Sequence, residues 1–141
     1  APDPRASGAE RCMQAALQES VISPDRVDYV NAHGTATDRG DIAETQATHA
    51  VFGKRMPISS LKSYTGHTLG ACGALEAWLT IEMMNAGWFA PTLNLNNIDP
   101  ACGQLDYIKD EIRQLDTDYV MSNNFAFGGI NTSLVFKRWR G

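Results

Sequence analysis

The sequence predicts an α/β layered fold. Stretches with strand character alternate along the chain with stretches of helical spacing, which is the pattern of helices layered on a sheet. Three glycine- and polar-rich loops each follow a predicted strand, and sites gather at such strand ends in α/β sheets. The composition agrees: the chain has 141 residues, 43% hydrophobic and 20% charged. That is an ordinary globular content for one domain.

Residues 1–7 read as a lead-in. From Gly8 to Ser20, Cys12, Ala15, Ala16 and Leu17 recur at helical spacing, with Cys12 as a small core residue. Pro24-Asp25 breaks the pattern, and V-D-Y-V-N at 27–31 reads as a strand. It runs into A-H-G-T-A-T-D-R-G-D at 32–41, where Asp41 stands as a helix N-cap and Glu44, three residues on, completes a capping box. The helix runs to Phe52 with His49 on its surface, and Gly53 stops it. Lys54-Arg55 makes a small basic turn.

The next stretch reads P-I-S-S-L-K-S-Y-T-G-H-T-L-G-A-C-G-A-L-E over 57–76. A short buried strand ends at Ser60, a polar turn covers 62–66, and a helix runs from His67 or Thr68 to Ala86. Gly70 and Gly73 in its first turns cost roughly 1 kcal/mol each against Ala, which points to close approach of another group. His67 at the helix N-terminus sits in a field that disfavours the imidazolium, and a neutral imidazole has one N–H to donate. Gly87 to Asn97 reads as a connector in which Trp88 and Phe89 plug the core edge. Cys102 sits in a loop, 105–108 is a short strand, and 110–118 is charged and exposed. The chain closes on strand, turn, strand: 119–123, then N-F-A-F-G-G-I-N, then 132–136. Gly128-Gly129 permits the reversal, and Phe125 and Phe127 stand at the turn.

The formal charge, 12 − 16 = −4, and the lack of a basic run argue against nucleic acid as a partner. No apolar run approaches the length of a membrane helix, about 18 residues. The N-terminal A-P-D-P-R has none of the features of a signal peptide. Cys12, Cys72 and Cys102 are odd in number and lack C-x-x-C spacing, which fits a reducing cytoplasm.

Three motifs stand in order: N-A-H-G-T-A-T-D-R-G-D at 31–41, K-S-Y-T-G-H-T-L-G-A-C-G at 62–73, and N-N-F-A-F-G-G-I-N at 123–131. Together they resemble the C-terminal half of β-ketoacyl-ACP synthases, the condensing enzymes of the thiolase fold, over essentially the whole chain. The ending N-T-S-L-V-F-K resembles the discrete elongating enzymes more than the ketosynthase domains of modular polyketide synthases.

The resemblance implies a thiolase-like layered fold of which residues 1–141 form the C-terminal ketosynthase domain. That domain is a mixed sheet packed with helices, incomplete without an N-terminal half. It implies decarboxylative Claisen condensation of an acyl thioester with malonyl-ACP, in fatty acid or polyketide-type elongation. His33 and His67 match the two imidazole donors to the enolate oxygen, Lys62 the active-site lysine, and Glu76 its carboxylate. Thr35 and Thr37 match the hydroxyls on the phosphopantetheine arm. Phe127 matches the gating phenylalanine, whose N–H helps form an oxyanion hole, and Phe125, Gly128 and Gly129 complete that substrate-side loop. The implied partners are acyl carrier protein, the N-terminal half and a second copy in a homodimer. No resident cofactor or metal is implied, since the arm arrives on the carrier protein.

The family's nucleophilic cysteine lies in the N-terminal half. Cys72, five residues from His67, stands at a small-residue position of the helix and does not replace it. The 141-residue chain alone is therefore expected to be inactive. Asp38-Arg39, Ala126 and Ile130 depart from the family pattern at the arm-binding loop and the gate. The alternative is a non-catalytic chain-length factor that shares the fold and pairs with an active ketosynthase. A thiolase is disfavoured, since thiolases place a second cysteine in this half.

Overall fold

The computed structural model describes residues 4–34, 39–62, 72–93, 95, 97–125 and 131–140. A five-stranded mixed sheet lies at the centre, in the order β4-β2-β1-β6-β7. Strand β1 (Tyr29–Asn31) is flanked on both sides by parallel partners, β2 (Pro57–Ser59) and β6 (Tyr119–Phe125). Strand β4 (Asp106–Tyr107) adds in parallel to β2, and β7 (Asn131–Lys137) adds antiparallel to β6. Strands covered on both faces bury every residue, and all three residues of β1 are buried.

Side-chain alternation along these strands sorts the core into two layers. Val30 of β1, Ile58 of β2 and Met121 of β6 face helices α1 (Pro4–Ser20) and α2 (Arg39–Phe52), packing with Met13, Leu17, Ala47 and Phe52. The neighbours Tyr29 and Val120 point the other way, onto helix α3 (Cys72–Ala86), and join Met83, Met84, Phe89 and Ile108. Tyr29 packs its ring on Phe89 with centroids 4.1 Å apart and places its hydroxyl 2.6 Å from Ser59 Oγ. Burial, ahead of the opposing Ser59 hydrogen bond and the added Glu76 charge, pushes the Tyr29 phenol up.

Several sequence expectations change. Helix α1 begins at Pro4, inside the expected lead-in, because proline is tolerated at the first helical position. Its core residues are Ala9, Met13 and Leu17, and Cys12 is half-buried beside them. Strand β1 is three residues long, since Pro24–Arg26 forms a 3-10 turn and the chain joins the ladder later. The connector after α3 and the charged segment hide a second sheet, in which β3 (Trp88–Phe89) pairs antiparallel with β5 (Arg113–Gln114). Phe89 plugs the core as expected, whereas Trp88, on the opposite face of that short strand, is 41% exposed. Within the charged segment, Arg113 pairs with Asp106, and Asp116 and Asp118 pair with Arg138 and Arg140. The hairpin ladder extends to the pair Phe125–Asn131, which makes Phe125 the last residue of β6. Phe125 packs against the α1–α2 layer, a strand position in place of the expected turn.

Both helix ends followed by glycine behave as the sequence requires. Gly53 and Gly87 adopt φ of 79° and 80°, in the left-handed region that glycine enters without cost. Their N–H groups bond back to the His49 and Met83 carbonyls at 2.8 and 2.9 Å. The expected turn at 62–66 and the helix start at His67 or Thr68 lie outside the described residues, Lys62 excepted.

The loop 101–104 is sealed onto α2. Gly103 N–H donates to Thr45 Oγ1 at 3.0 Å, Gln46 Nε2 donates to the Ala101 carbonyl at 2.8 Å, and His49 Nδ1 lies 2.8 Å from the Gln104 carbonyl. A Cβ at Gly103 would fall 2.3 Å from the Thr45 carbonyl oxygen, a backbone atom held in the helix. Gly103→Ala is expected to lower unfolding free energy by about 1–3 kcal/mol through forced displacement of this loop. Urea denaturation measures it, and a loss below about 0.5 kcal/mol, within the range of ordinary surface substitutions, would contradict the packing described.

Candidate functional site

Because β1, β2 and β6 run parallel, their C-terminal ends open on one edge of the sheet, the position favoured for sites in such sheets. The chain leaves β1 through Ala32, whose N–H donates to the Ser59 carbonyl at 2.8 Å, and then turns at His33 and Gly34. It leaves β2 through Ser60, whose N–H donates to Thr92 Oγ1 at 2.9 Å, and Ser60 Oγ in turn accepts the N–H of Lys62 at 3.3 Å. The two exits bring the Lys62 ammonium to 2.9 Å from His33 Nδ1 and 3.0 Å from Nε2, with both side chains half-buried. Two residues separated by 29 positions thus form one polar unit.

The His33 turn is held from below by Glu44. This side chain is 4% exposed, and its two carboxylate oxygens accept one backbone N–H each, from His33 (Oε2) and Gly34 (Oε1), both at 2.8 Å. The expected capping box is not formed. Helix α2 starts at Arg39, two residues before Asp41, so Asp41 lies inside the first turn and Glu44 reaches across to the preceding loop. Asp41 fills the space over Gly34: a Cβ there would fall 1.7 Å from Asp41 Oδ1. A side chain at Gly34 would have to displace the Asp41 carboxylate. Burial raises the Glu44 pKa to about 7, against the lowering effect of the two amide hydrogen bonds; Asp41 adds to the rise and Lys62 opposes it.

On the other side of β1, Glu76 lies in the first turns of α3 and is 1% exposed. The start of α3 approaches the end of β6 closely, since a Cβ at Gly73 would meet Asn124 Nδ2 at 2.7 Å. The close contact inferred from the small residues of this helix is therefore with β6. In the ladder between these parts, Asn31 Nδ2 donates to Ser122 Oγ at 3.1 Å. A small pocket behind the His33 turn is lined by Gly34, Asp41, Glu44, Thr45, Ser60 and Tyr107, among others. Among the described residues no group of three His, Cys, Asp or Glu is placed to hold a metal ion.

Of the residues singled out in the sequence, His33 and Lys62 are brought into contact, and Glu76 and Phe125 are placed on α3 and β6. His67, Thr35, Thr37, Phe127, Gly128 and Gly129 lie outside the described residues. Glu44 is the contact at this loop that sequence spacing misses: its distance from Asp41 satisfies a local rule, and only the tertiary structure redirects it to the loop. Arg55, of the small basic turn, donates to the Val27 and Pro24 carbonyls at 3.3 and 3.0 Å.

A family model described as "Beta-ketoacyl synthase, C-terminal domain" matches residues 1–96. The chain is 45% identical over 140 residues to the 3-oxoacyl-[acyl-carrier-protein] synthase 2 of Coxiella burnetii, covering 97% of this chain and 34% of that protein. It superimposes on the crystal structure of a beta-ketoacyl synthase from Burkholderia phymatum with a TM-score of 0.92 and 67% identity, over 96% of this chain and 33% of that one. A type II polyketide ketosynthase, solved in complex with its acyl carrier protein, matches with a TM-score of 0.87 and 34% identity, over 95% of this chain and 34% of that one. The chain therefore spans about a third of the length of these relatives.

The Glu44 carboxyl has a pH signature. An ordinary glutamate titrates near 4.5 and the folded one at about 7. Between these values the folded state holds more protons than the unfolded one, so this contribution to stability is fully present below pH 4.5 and is lost as pH rises through 7. At about 1.4 kcal/mol per pH unit the loss is on the order of 3 kcal/mol. Glu44→Gln, which does not titrate, is expected to flatten the stability profile by that amount between pH 5 and pH 8. Urea unfolding at the two pH values measures it, and parallel profiles would contradict the assignment.

Proposed function

This chain belongs to the beta-ketoacyl synthase C-terminal domain family, and from that premise we propose that it forms the C-terminal part of a 3-oxoacyl-ACP synthase. The proposed reaction is decarboxylative Claisen condensation of an enzyme-bound acyl group with malonyl-ACP. The observation that carries this reading is the His33–Lys62 contact at the C-terminal ends of β1 and β2.

The chemistry follows from the groups. Loss of carbon dioxide from a malonyl thioester leaves negative charge on the thioester oxygen. An imidazole N–H aimed at that oxygen stabilises it in a site poor in water. In this proposal His33 acts as the neutral imidazole, with one N–H to donate, and the Lys62 side-chain nitrogen lies 2.9 and 3.0 Å from its two ring nitrogens. His67 supplies the second donor in this proposal, and Glu76 balances the local positive charge. Thr35 and Thr37 receive the phosphopantetheine arm. Phe127 gates the site with Phe125, Gly128 and Gly129, and its N–H serves acyl transfer.

The nucleophilic cysteine of this proposal comes from an N-terminal half beyond the 141 residues, and the chain alone is inactive. The surface of α3 supports this. The helix carries Leu75, Trp78 and Ile81 outside its buried seam, and Trp78 is 56% exposed. Apolar side chains at these outer positions fit a face covered by another layer. The partners proposed are acyl carrier protein, with the arm as its cargo in place of a resident cofactor, and a second copy in a cytoplasmic homodimer. The chain-length-factor alternative is weakened by the kept His33–Lys62 pair, and the residue at the nucleophile position discriminates the two.

In the full-length enzyme, His33→Ala is expected to slow malonyl-ACP decarboxylation by about 10²–10³-fold, the cost of one lost oxyanion donor. Carbon dioxide release from labelled malonyl-ACP measures it. A variant retaining more than a third of wild-type decarboxylation would contradict the proposed role.

A further inference from the structure

The ladder between β2 and β4 stops one rung short of where it could. Ile108 N–H donates to the Ile58 carbonyl at 2.9 Å, and in a continuing parallel ladder the Ile108 carbonyl would accept the N–H of Ser60, two residues further on. Thr92 occupies that rung from both sides. Its N–H donates to the Ile108 carbonyl at 3.0 Å, and its hydroxyl oxygen accepts the Ser60 N–H at 2.9 Å. Thr92 and Ser60 are both buried, so loss of this hydroxyl takes the acceptor from a donor closed off from water. Thr92 is itself held, by the fixed φ of Pro91 before it and by its bridge to Lys109.

The effect reaches Lys62 in two steps. Ser60 Oγ accepts the Lys62 N–H at 3.3 Å, the two-residue span of a serine turn, which sets the Lys62 backbone relative to Ser60. Leu61 between them is buried in the α3 layer and keeps the turn seated. The Lys62 side-chain nitrogen then ends 2.9 and 3.0 Å from the two ring nitrogens of His33.

We infer that Thr92 is a positioning residue for the proposed condensation: its hydroxyl, standing in for a ladder rung, holds the Ser60–Lys62 turn and so keeps the Lys62 side-chain nitrogen against the His33 ring. The inference rests on the proposed function above and adds a residue of the connector that touches no reacting group. Positioning of this kind acts on the transition state more than on substrate capture.

The test uses the full-length enzyme and compares wild type, Thr92→Val, Thr92→Ser, Ser60→Ala, Lys62→Ala and the double variant Thr92→Val with Lys62→Ala. Valine keeps the branched shape without the hydroxyl, and serine restores the acceptor. In malonyl-ACP decarboxylation, Thr92→Val is expected to lower kcat about 10-fold with KM within about 2-fold, and Thr92→Ser to return kcat to within about 3-fold of wild type. With Lys62 already replaced by alanine, the valine substitution is expected to cost nothing further, because its effect runs through Lys62. The nitrogen-15 resonances of the His33 ring are expected to move in Thr92→Val and Ser60→Ala in the direction set by Lys62→Ala, and to return in Thr92→Ser. A Thr92→Val enzyme with wild-type kcat, a loss that serine does not restore, an equal loss in the Lys62→Ala background, or a His33 ring unmoved by Thr92→Val and Ser60→Ala would each overturn the positioning role while leaving the proposed function intact. A wild-type enzyme unable to decarboxylate malonyl-ACP would overturn that function, and this inference with it.

Discussion

The structure depends on the double parallel pairing of β1. Three buried residues, Tyr29 to Asn31, hydrogen-bond to β2 on one side and to β6 on the other, and their side chains alternate between the two helical layers. Every part of the site is referred to this strand. His33 leaves its end, Lys62 leaves the end of its neighbour, and the close approach of Gly73 to Asn124 sets α3 against the end of β6. Parallel strands put their C-terminal ends on one side by geometry alone, which is why motifs distant in sequence become adjacent.

The polar groups at this edge carry a tension between stability and chemistry. Glu44 is buried beside Asp41, and its burial favours the protonated form. The ionised form is the one that accepts an amide with each oxygen. The fold tolerates the cost because the alternative is an unpaired pair of N–H groups in the turn, which would also be costly when buried.

Much of the architecture was legible in the sequence, and the failures have physical causes. Strands β1, β2, β6 and β7 were readable because β-branched and aromatic residues stand between clear turn signals. Helices α2 and α3 were readable because Gly53 and Gly87 close them with positive φ. Strands β3 and β5 were not, since each is two residues long inside a stretch read as a connector or as a charged segment, whereas the equally short β4 lies in the apolar-flanked run 105–108. Glu44 was misread because Asp41-x-x-Glu44 has capping-box spacing, and sequence spacing cannot show that the helix begins earlier at Arg39. His33 and Lys62 were found through motif resemblance; their spacing of 29 residues holds no local signal, and only the pairing of β1 with β2 converts it into contact.

In the proposed condensation, donation to the enolate turns on a neutral His33 beside the Lys62 ammonium. Nitrogen-15 NMR of the full-length enzyme, labelled at histidine and assigned with His33→Ala, reads the ring directly. One protonated and one unprotonated ring nitrogen are expected at pH 7, with the unprotonated resonance shifting in Lys62→Ala as its donor is removed. A doubly protonated His33 ring at pH 7, unchanged by Lys62→Ala, would contradict the mechanism.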